Sequence, residues 1–172
     1  IIDEYVFCDT IGKSGKEPIM ISKKIKSKKY AGGILSVANH LSNFCKHIKI
    51  LTCLGTRNDN YNFIKKSLQK NITLDYIRKN NSPTILKTRY LDNYTKSKIS
   101  GIYDINDDDL NTKEEKSFLN KVSKNILKYD LVLVVDYGHG LITPKIVNLI
   151  EKKPIFIAVN TQLNSLNASF HS

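Results

Sequence analysis

Residues 131–160 read LVLVVDYGHGLITPKIVNLIEKKPIFIAVN, and this stretch decides the fold class. Leu131–Val135 is an unbroken apolar run rich in Val, the pattern of a parallel strand buried in a sheet. Thr143-Pro144 is a helix start signal: Thr suits the cap, and Pro fits the first turn, where its missing N–H costs nothing. The spacing predicts that this helix ends near Lys153, with Ile155–Val159 following as a second buried strand. Strand, helix, strand at this spacing is a βαβ unit with a right-handed crossover. The fold class is therefore α/β with a parallel sheet.

Working outward, Thr112 followed by Glu115 predicts a capping box that opens a helix running to about Leu127. Gly32-Gly33 opens another helical pattern, with Leu35, Ala38, Leu41 and Cys45 at spacings of three and four. Ile48–Leu54 is strand-like and closed by Gly55. A helix over about Asn60–Lys70 and a strand at Thr73–Ile77 follow. Two pairs of β-like runs are predicted as hairpins: Tyr5–Asp9 with Ile19–Ile25, and Ile85–Leu91 with Ile99–Ile105. The chain reads as an open α/β sheet with the two hairpins standing apart from it.

At 172 residues the chain corresponds to one domain or part of a larger one, and 41% apolar residues are enough for a core. No apolar run approaches the roughly 20 residues of a membrane helix, and none resembles a signal peptide, so a soluble, cytoplasmic protein is expected. Cys8, Cys45 and Cys53 are too few and too scattered for a disulfide framework or a zinc site. The net charge of +11, from 27 basic and 16 acidic residues, suggests an anionic partner. Only Arg57, Arg78 and Arg89 are Arg, however, and the excess of Lys, Asn and Ile is what an A/T-rich coding sequence produces. Lys also lacks the bidentate fork of Arg, so coding bias is preferred over a nucleic-acid footprint. The lysines from Lys23 to Lys29 are read as edge protection on a solvated hairpin, with a lysine-lined ligand lid as the alternative.

In open parallel sheets, ligands bind at the carboxyl ends of the strands. Asp136-Tyr137-Gly138-His139-Gly140 sits at one such end. Asp136 either orients a ligand hydroxyl or satisfies backbone donors of its own turn, and spacing does not choose between these. His139 is read as a polar loop residue. Gly32-Gly33 before a helix reads as a hinge, a tight turn or a close-contact surface, with helix amides behind it that could meet an anion, and it is not a Walker loop. Lys87 and Arg89 alternate onto one strand face, which suits either a phosphate grip or an exposed basic face. Asn160-Thr161-Gln162 offers amides at the last strand end. Asp107–Asp109 is read as a solvated loop rather than a metal site.

These pieces in this order resemble the ribokinase-like (PfkB) carbohydrate kinases, closest to the heptose-phosphate kinase branch of ADP-heptose synthesis. The match rests on Ile2-Asp3-Glu4-Tyr5, Gly32-Gly33 with Val37-Ala38-Asn39 and Leu41, Leu54-Gly55 with Asp59, Pro83-Thr84, Lys87-Thr88-Arg89, and Asp136-Tyr137-Gly138-x-Gly140. The resemblance implies a Rossmann-like three-layer ribokinase fold, present in part. Residues 1–172 would be its N-terminal and central portion, with a small β lid at about 5–25 and 85–105. It also implies transfer of a phosphoryl group from ATP, with Mg2+, to a hydroxyl of a heptose or related sugar phosphate. Asp3, Gly32, Gly33, Asn39, Lys87, Arg89 and Asp136 would face the sugar or its phosphate, and Asn160 and Gln162 the nucleotide.

The sequence departs from the family in several places. The catalytic Asp of the family's Gly-Ala-Gly-Asp motif does not occur here and is expected beyond Ser172, so this portion alone should be inactive. Ser36 stands where Asn is common, His139 where Lys is common, and Asn160-Thr161-Gln162 where Asp-Pro-Lys is common. A sub-branch with Asn-Thr-Gln at this place joins the kinase-like domain to a nucleotidyltransferase-like domain, and lids of the family often pair into homodimers. The alternative reading is a non-catalytic carbohydrate- or nucleotide-binding module of the same fold.

Overall fold

The computed structural model describes residues 1–162. In chain order the elements are β1 (Ile2–Lys13), β2 (Met20–Ala31), α1 (Ile34–Leu41), β3 (Ile48–Arg57), α2 (Tyr61–Ser67) and β4 (Ile72–Pro83). There follow β5 (Leu86–Asp92), β6 (Lys98–Asp104), α3 (Thr112–Asn125) with a 3-10 turn at Ile126–Lys128, β7 (Leu131–Asp136), α4 (Pro144–Glu151) and β8 (Phe156–Thr161).

The stretch that decided the class folds as a βαβ unit. β7 and β8 pair in parallel from Leu131↔Phe156 to Asp136↔Thr161, with α4 as the crossover. Thr143 takes the N-cap position of α4, with its hydroxyl turned to Glu115 rather than to the helix amides, and Pro144 opens the helix. β3 and β4 form a second parallel pair, from Ile48↔Ile72 onward. One apolar cluster, around Phe118, Val122, Ile146 and Ile150, packs α3 and α4 against these strands. A second, around Ile2, Leu35, Ile50 and Ile64, packs α1 and α2 on the other part of the sheet.

The single open sheet expected from the sequence is present as two parallel pairs. They face each other across an apolar groove of about 700 Å³, lined by residues 48–53 of β3 and residues 131–136 of β7. The predicted full burial of β7 and β8 is not reached: Leu131 is 45% exposed and Phe156 72%. Parallel strands are buried when neighbours and helices cover both faces, and among the described residues β8 has β7 as its only strand neighbour.

The two hairpins form a sheet apart from the parallel pairs, as expected, and they also pair with each other. β1 pairs in parallel with β5 from Ile2↔Leu86 to Cys8↔Asp92, which joins both hairpins into one four-stranded sheet, β2-β1-β5-β6. The first hairpin extends beyond its predicted bounds, because strand pairing continues through polar residues at its ends, whereas the second keeps its predicted bounds to within one residue. The lysine-rich β2 is an edge strand, exposed along nearly its whole length, as edge protection requires.

The capping box of α3 lies one residue before the predicted position. Asn111 accepts from the Lys113 and Glu114 amides, and Glu114 accepts from the Asn111 amide at 3.0 Å. Glu114 also accepts from the Asn80 amide at 2.7 Å, which ties α3 to β4. Glu115 is thereby free to leave its own helix. It accepts from Thr143 Oγ1 at 2.6 Å and Lys145 Nζ at 2.7 Å, clamping α3 to α4. Replacing Asn111 with Ala is expected to cost about 0.5–2 kcal/mol of stability, measured by denaturant titration, because two amide donors lose their acceptor. Thr112→Ala should cost little, which separates the observed box from the predicted one.

Candidate sugar and anion site

The inner face of the four-stranded sheet carries the candidate site. Strand pairing lines up Tyr30 of β2, Asp3 of β1, Lys87 of β5 and Tyr103 of β6 in one row. Alternation puts Tyr5 and Arg89, two residues further along, on the same face. Arg89 Nη1 donates to Asp3 Oδ1 at 2.5 Å. The guanidinium also lies over the rings of Tyr5 and Tyr103, 5.8 and 5.5 Å from their centroids. Burial works against the charge of Arg89, but its hydrogen bond and attraction to Asp3 outweigh this and hold it above the ordinary value.

The double glycine has two separate reasons. A Cβ on Gly32 would sit 2.0 Å from Asp3 Oδ2, so only glycine lets that carboxylate lie against the chain there. Gly33 caps α1 at φ 55 and ψ −133, a conformation disfavoured for residues with a side chain. Asp3, Gly32 and Gly33, with Tyr5, Tyr30 and Tyr137, line a cavity of about 540 Å³. Burial, with Asp3 adding to it, pushes the Tyr137 phenol above its ordinary value, so it stays a neutral hydroxyl there.

The turn after β7 closes the other side. Asp136 is buried, and its Oδ1 accepts from the Gly138 amide at 2.8 Å, which is the turn-satisfying option read from the sequence. Asp136 is also among the residues that line the apolar groove. At Gly140, φ is +73 and a Cβ would lie 2.0 Å from the Asp108 carbonyl. The turn therefore docks flush on residues 107–110, and the Leu110 amide donates to the Gly140 carbonyl. Lys79, buried, holds that segment from β4 through the Asn106 and Asp108 carbonyls.

This docking brings together three side chains that the sequence left apart. His139 Nδ1 lies 2.7 Å from Asp107 Oδ1, and His139 Nε2 lies 3.1 Å from Lys87 Nζ. Burial lowers the Lys87 ammonium below its ordinary value, and Arg89 adds to this. The sequence missed Asp107 and passed over His139, since residues 32 and 52 positions from their partners leave no local signal. The tyrosines of the row were missed as well. Strand alternation around Asp3 was the available signal for Tyr5, but Tyr103 needed the strand register.

The remaining candidates lie elsewhere. Asn39 does not line the cavity. Its Nδ2 donates to the Ser67 carbonyl and its Oδ1 accepts from the Gln69 amide, so it ties α1 to the end of α2. Asn39→Ala is expected to lower stability by about 1–2 kcal/mol while leaving sugar affinity unchanged, checked by denaturation and ligand titration on one preparation. Asn160 and Gln162 are exposed at the end of β8, and the Gln162 amide donates to the Asp136 carbonyl. Among the described residues no three His, Cys, Asp or Glu side chains converge as metal ligands. Mg2+ in phosphoryl-transfer sites takes one or two carboxylates plus substrate phosphates, so these residues supply at most part of its shell.

No family model matches the chain. It is 29% identical over 169 residues to the bifunctional protein HldE of Aliarcobacter butzleri, covering 93% of this chain and 34% of that one. It is 26% identical over 162 residues to HldE of Nitratiruptor sp., with 91% and 34% covered. Among solved structures, phosphofructokinase-2 of Escherichia coli in complex with substrates and products superposes with a TM-score of 0.66 at 12% identity, covering 94% of this chain and 51% of that one. The same enzyme with fructose-6-phosphate gives 0.64, also at 12% identity, with 97% and 54% covered.

The fold is that of the ribokinase-like sugar kinases.

The ribokinase-like chain spans about a third of the length of the curated relatives it matches, and about half of the solved kinase chains. Its four-stranded sheet is built from the two hairpins of which the resemblance would make a lid. The sheet's inner row faces the double glycine that opens α1 and the turn that follows β7. No helix among the described residues is long and apolar enough to cross a membrane.

Proposed function

We propose that the chain is the sugar-binding and lid-bearing portion of an ATP-dependent carbohydrate kinase that acts on a heptose or related sugar phosphate. The observation that carries this reading is the Asp3 carboxylate, fixed by Arg89 and seated on Gly32 in a cavity of about 540 Å³ beneath the lid. A carboxylate held this way accepts two sugar hydroxyls in a fixed geometry, and the tyrosine rings offer flat apolar walls to the sugar ring. Lys87 and Arg89 supply the charge for an existing phosphate, with Arg as the geometric reader.

In this reading Asp3, Gly32, Gly33, Lys87, Arg89 and Asp136 hold the sugar or its phosphate, and Asn160 and Gln162 lie toward the nucleotide phosphates. ATP with Mg2+ is the phosphoryl donor. The group that takes the proton from the attacking hydroxyl is not among these residues and belongs to the longer protein. The similarity to bifunctional HldE supports a fused nucleotidyltransferase-like domain and the heptose branch. The exposed apolar residues of the lid, among them Ile19, Met20, Ile25, Ile99 and Ile102, support pairing of two lids into a homodimer. A cytoplasmic site of action follows from a nucleotide-dependent reaction.

The test is ATP consumption by the full-length protein across a panel of heptose and hexose phosphates, with Asp136→Asn as a comparison. Turnover with a heptose phosphate, and weakened sugar affinity in the variant, is expected. No ATP consumption alongside tight sugar binding would instead favour a non-catalytic carbohydrate-binding module, the reading suggested by the amide-rich Asn160-Thr161-Gln162.

A further inference from the structure

Lys87 already gives one of its three ammonium donors to His139, and that bond fixes where the ammonium sits. The proton positions follow from the donor inventory. A Lys ammonium only donates, so His139 Nε2 must accept and carry no proton. The Asp107 carboxylate only accepts, so His139 Nδ1 must carry one. The three groups thus form one chain of donors, from Lys87 through a neutral imidazole to Asp107. The chain joins lid strand β5 to the turn after β7 and to the segment before α3.

We propose that His139, oriented by Asp107, is a proton-linked latch on Lys87: neutral, it holds the ammonium away from an anion beside Arg89, and protonated, it releases it. The idea rests on the anion role of Lys87 and Arg89 proposed above, and it makes His139 a positioning residue. Protonation at Nε2 replaces the acceptor with a second donor facing the ammonium, so the bond is lost. The same proton adds a positive charge near the anion. Both consequences favour the anion, so anion binding takes up a proton and strengthens as pH falls.

The surroundings of His139 fit this direction. Burial holds the imidazole below its ordinary value, Lys87 adds to that, and Asp107 opposes it. Arg89 from β5 and Asp3 from β1 act on the Lys87 charge with opposite signs, and the Tyr103 ring of β6 lies 5.7 Å from its ammonium. When an anion draws Lys87 away, a cation 3.1 Å from Nε2 is replaced by a nearby negative charge, and the imidazole becomes easier to protonate. The affinity gain therefore begins above the lowered value of the free protein and is complete once pH has fallen through it. One proton limits it to about tenfold per pH unit.

The experiment is calorimetric titration of the full-length protein with sulfate, which stays a dianion throughout, at constant ionic strength between pH 8 and pH 5.5. Two buffers of different ionisation enthalpy count the protons taken up. Expected are proton uptake on binding, an overall tightening of about threefold to tenfold, and loss of both in His139→Gln at unchanged fold. Asp107→Asn keeps the imidazole but removes the group that favours its charge, so its uptake should move to lower pH. Lys87→Met should lose the pH-dependent binding. Equal proton uptake in wild type and His139→Gln overturns the latch alone. Sulfate binding that is indifferent to Lys87→Met overturns the anion role of Lys87, and the latch with it.

Discussion

Gly32→Ala is expected to weaken sugar binding by the full-length protein about tenfold to a hundredfold, measured as a rise in Kd. The added Cβ would stand 2.0 Å from Asp3 Oδ2 and 3.0 Å from its Cγ, far inside contact distance. A free carboxylate would swing aside at small cost. This one is held at its other oxygen by Arg89 at 2.5 Å, and Arg89 is itself packed against two tyrosine rings. Either the Asp3–Arg89 pair opens or the start of α1 moves, and both misplace the carboxylate against the sugar. Hydrogen bonds to a charged group are worth about 1.5–3 kcal/mol, which converts to the stated range. Asp3→Asn should show a loss of the same order without the steric conflict. An unchanged Kd in both variants would remove Asp3 from the sugar site.

Arg89→Met is expected to destabilise the fold by about 1–3 kcal/mol and to weaken binding of a sugar phosphate as well. Breaking a fully buried ion pair by removing one partner costs more, about 3–5 kcal/mol. Here the two side chains keep 20% and 24% of their exposure, so water recovers part of that. What remains is a half-buried Asp3 without its cation and two rings without their guanidinium. For a chain of this size the melting temperature should fall by several degrees, about 2–4 °C per kcal/mol. Arg89→Lys should recover little of either property, because an ammonium cannot span the carboxylate and stack on both rings. Full recovery by Lys would show that charge alone, and not the planar fork, holds Asp3.

The two variants separate layers of the site that the sequence presented together. Gly32-Gly33 was legible as a place of close approach, but not which atom approaches. Only the tertiary structure shows that the neighbour is the Asp3 carboxylate, 29 residues earlier in the chain. Lys87 and Arg89 were placed on one face by alternation alone, and that face is where they lie. The capping box was predicted one residue late because Thr112-x-x-Glu115 and Asn111-x-x-Glu114 satisfy the same rule. Tertiary packing chose between them, since Glu114 also serves Asn80 while Glu115 serves Thr143 and Lys145.

Local pattern by itself determined the βαβ unit, the cap at Thr143, both hairpins and the shared face of Lys87 and Arg89. Each follows from periodicity or from the stereochemistry of a few adjacent residues, so a linear reading contains the cause. Tertiary structure alone decided that β1 and β5 join the hairpins into one sheet, that Asn39 is spent on α2, and that Asp107, His139 and Lys87 meet. Those contacts depend on register between distant strands and on the docking of the Gly138–Gly140 turn. Such a position is fixed by what the whole fold packs, and no short window of sequence carries it.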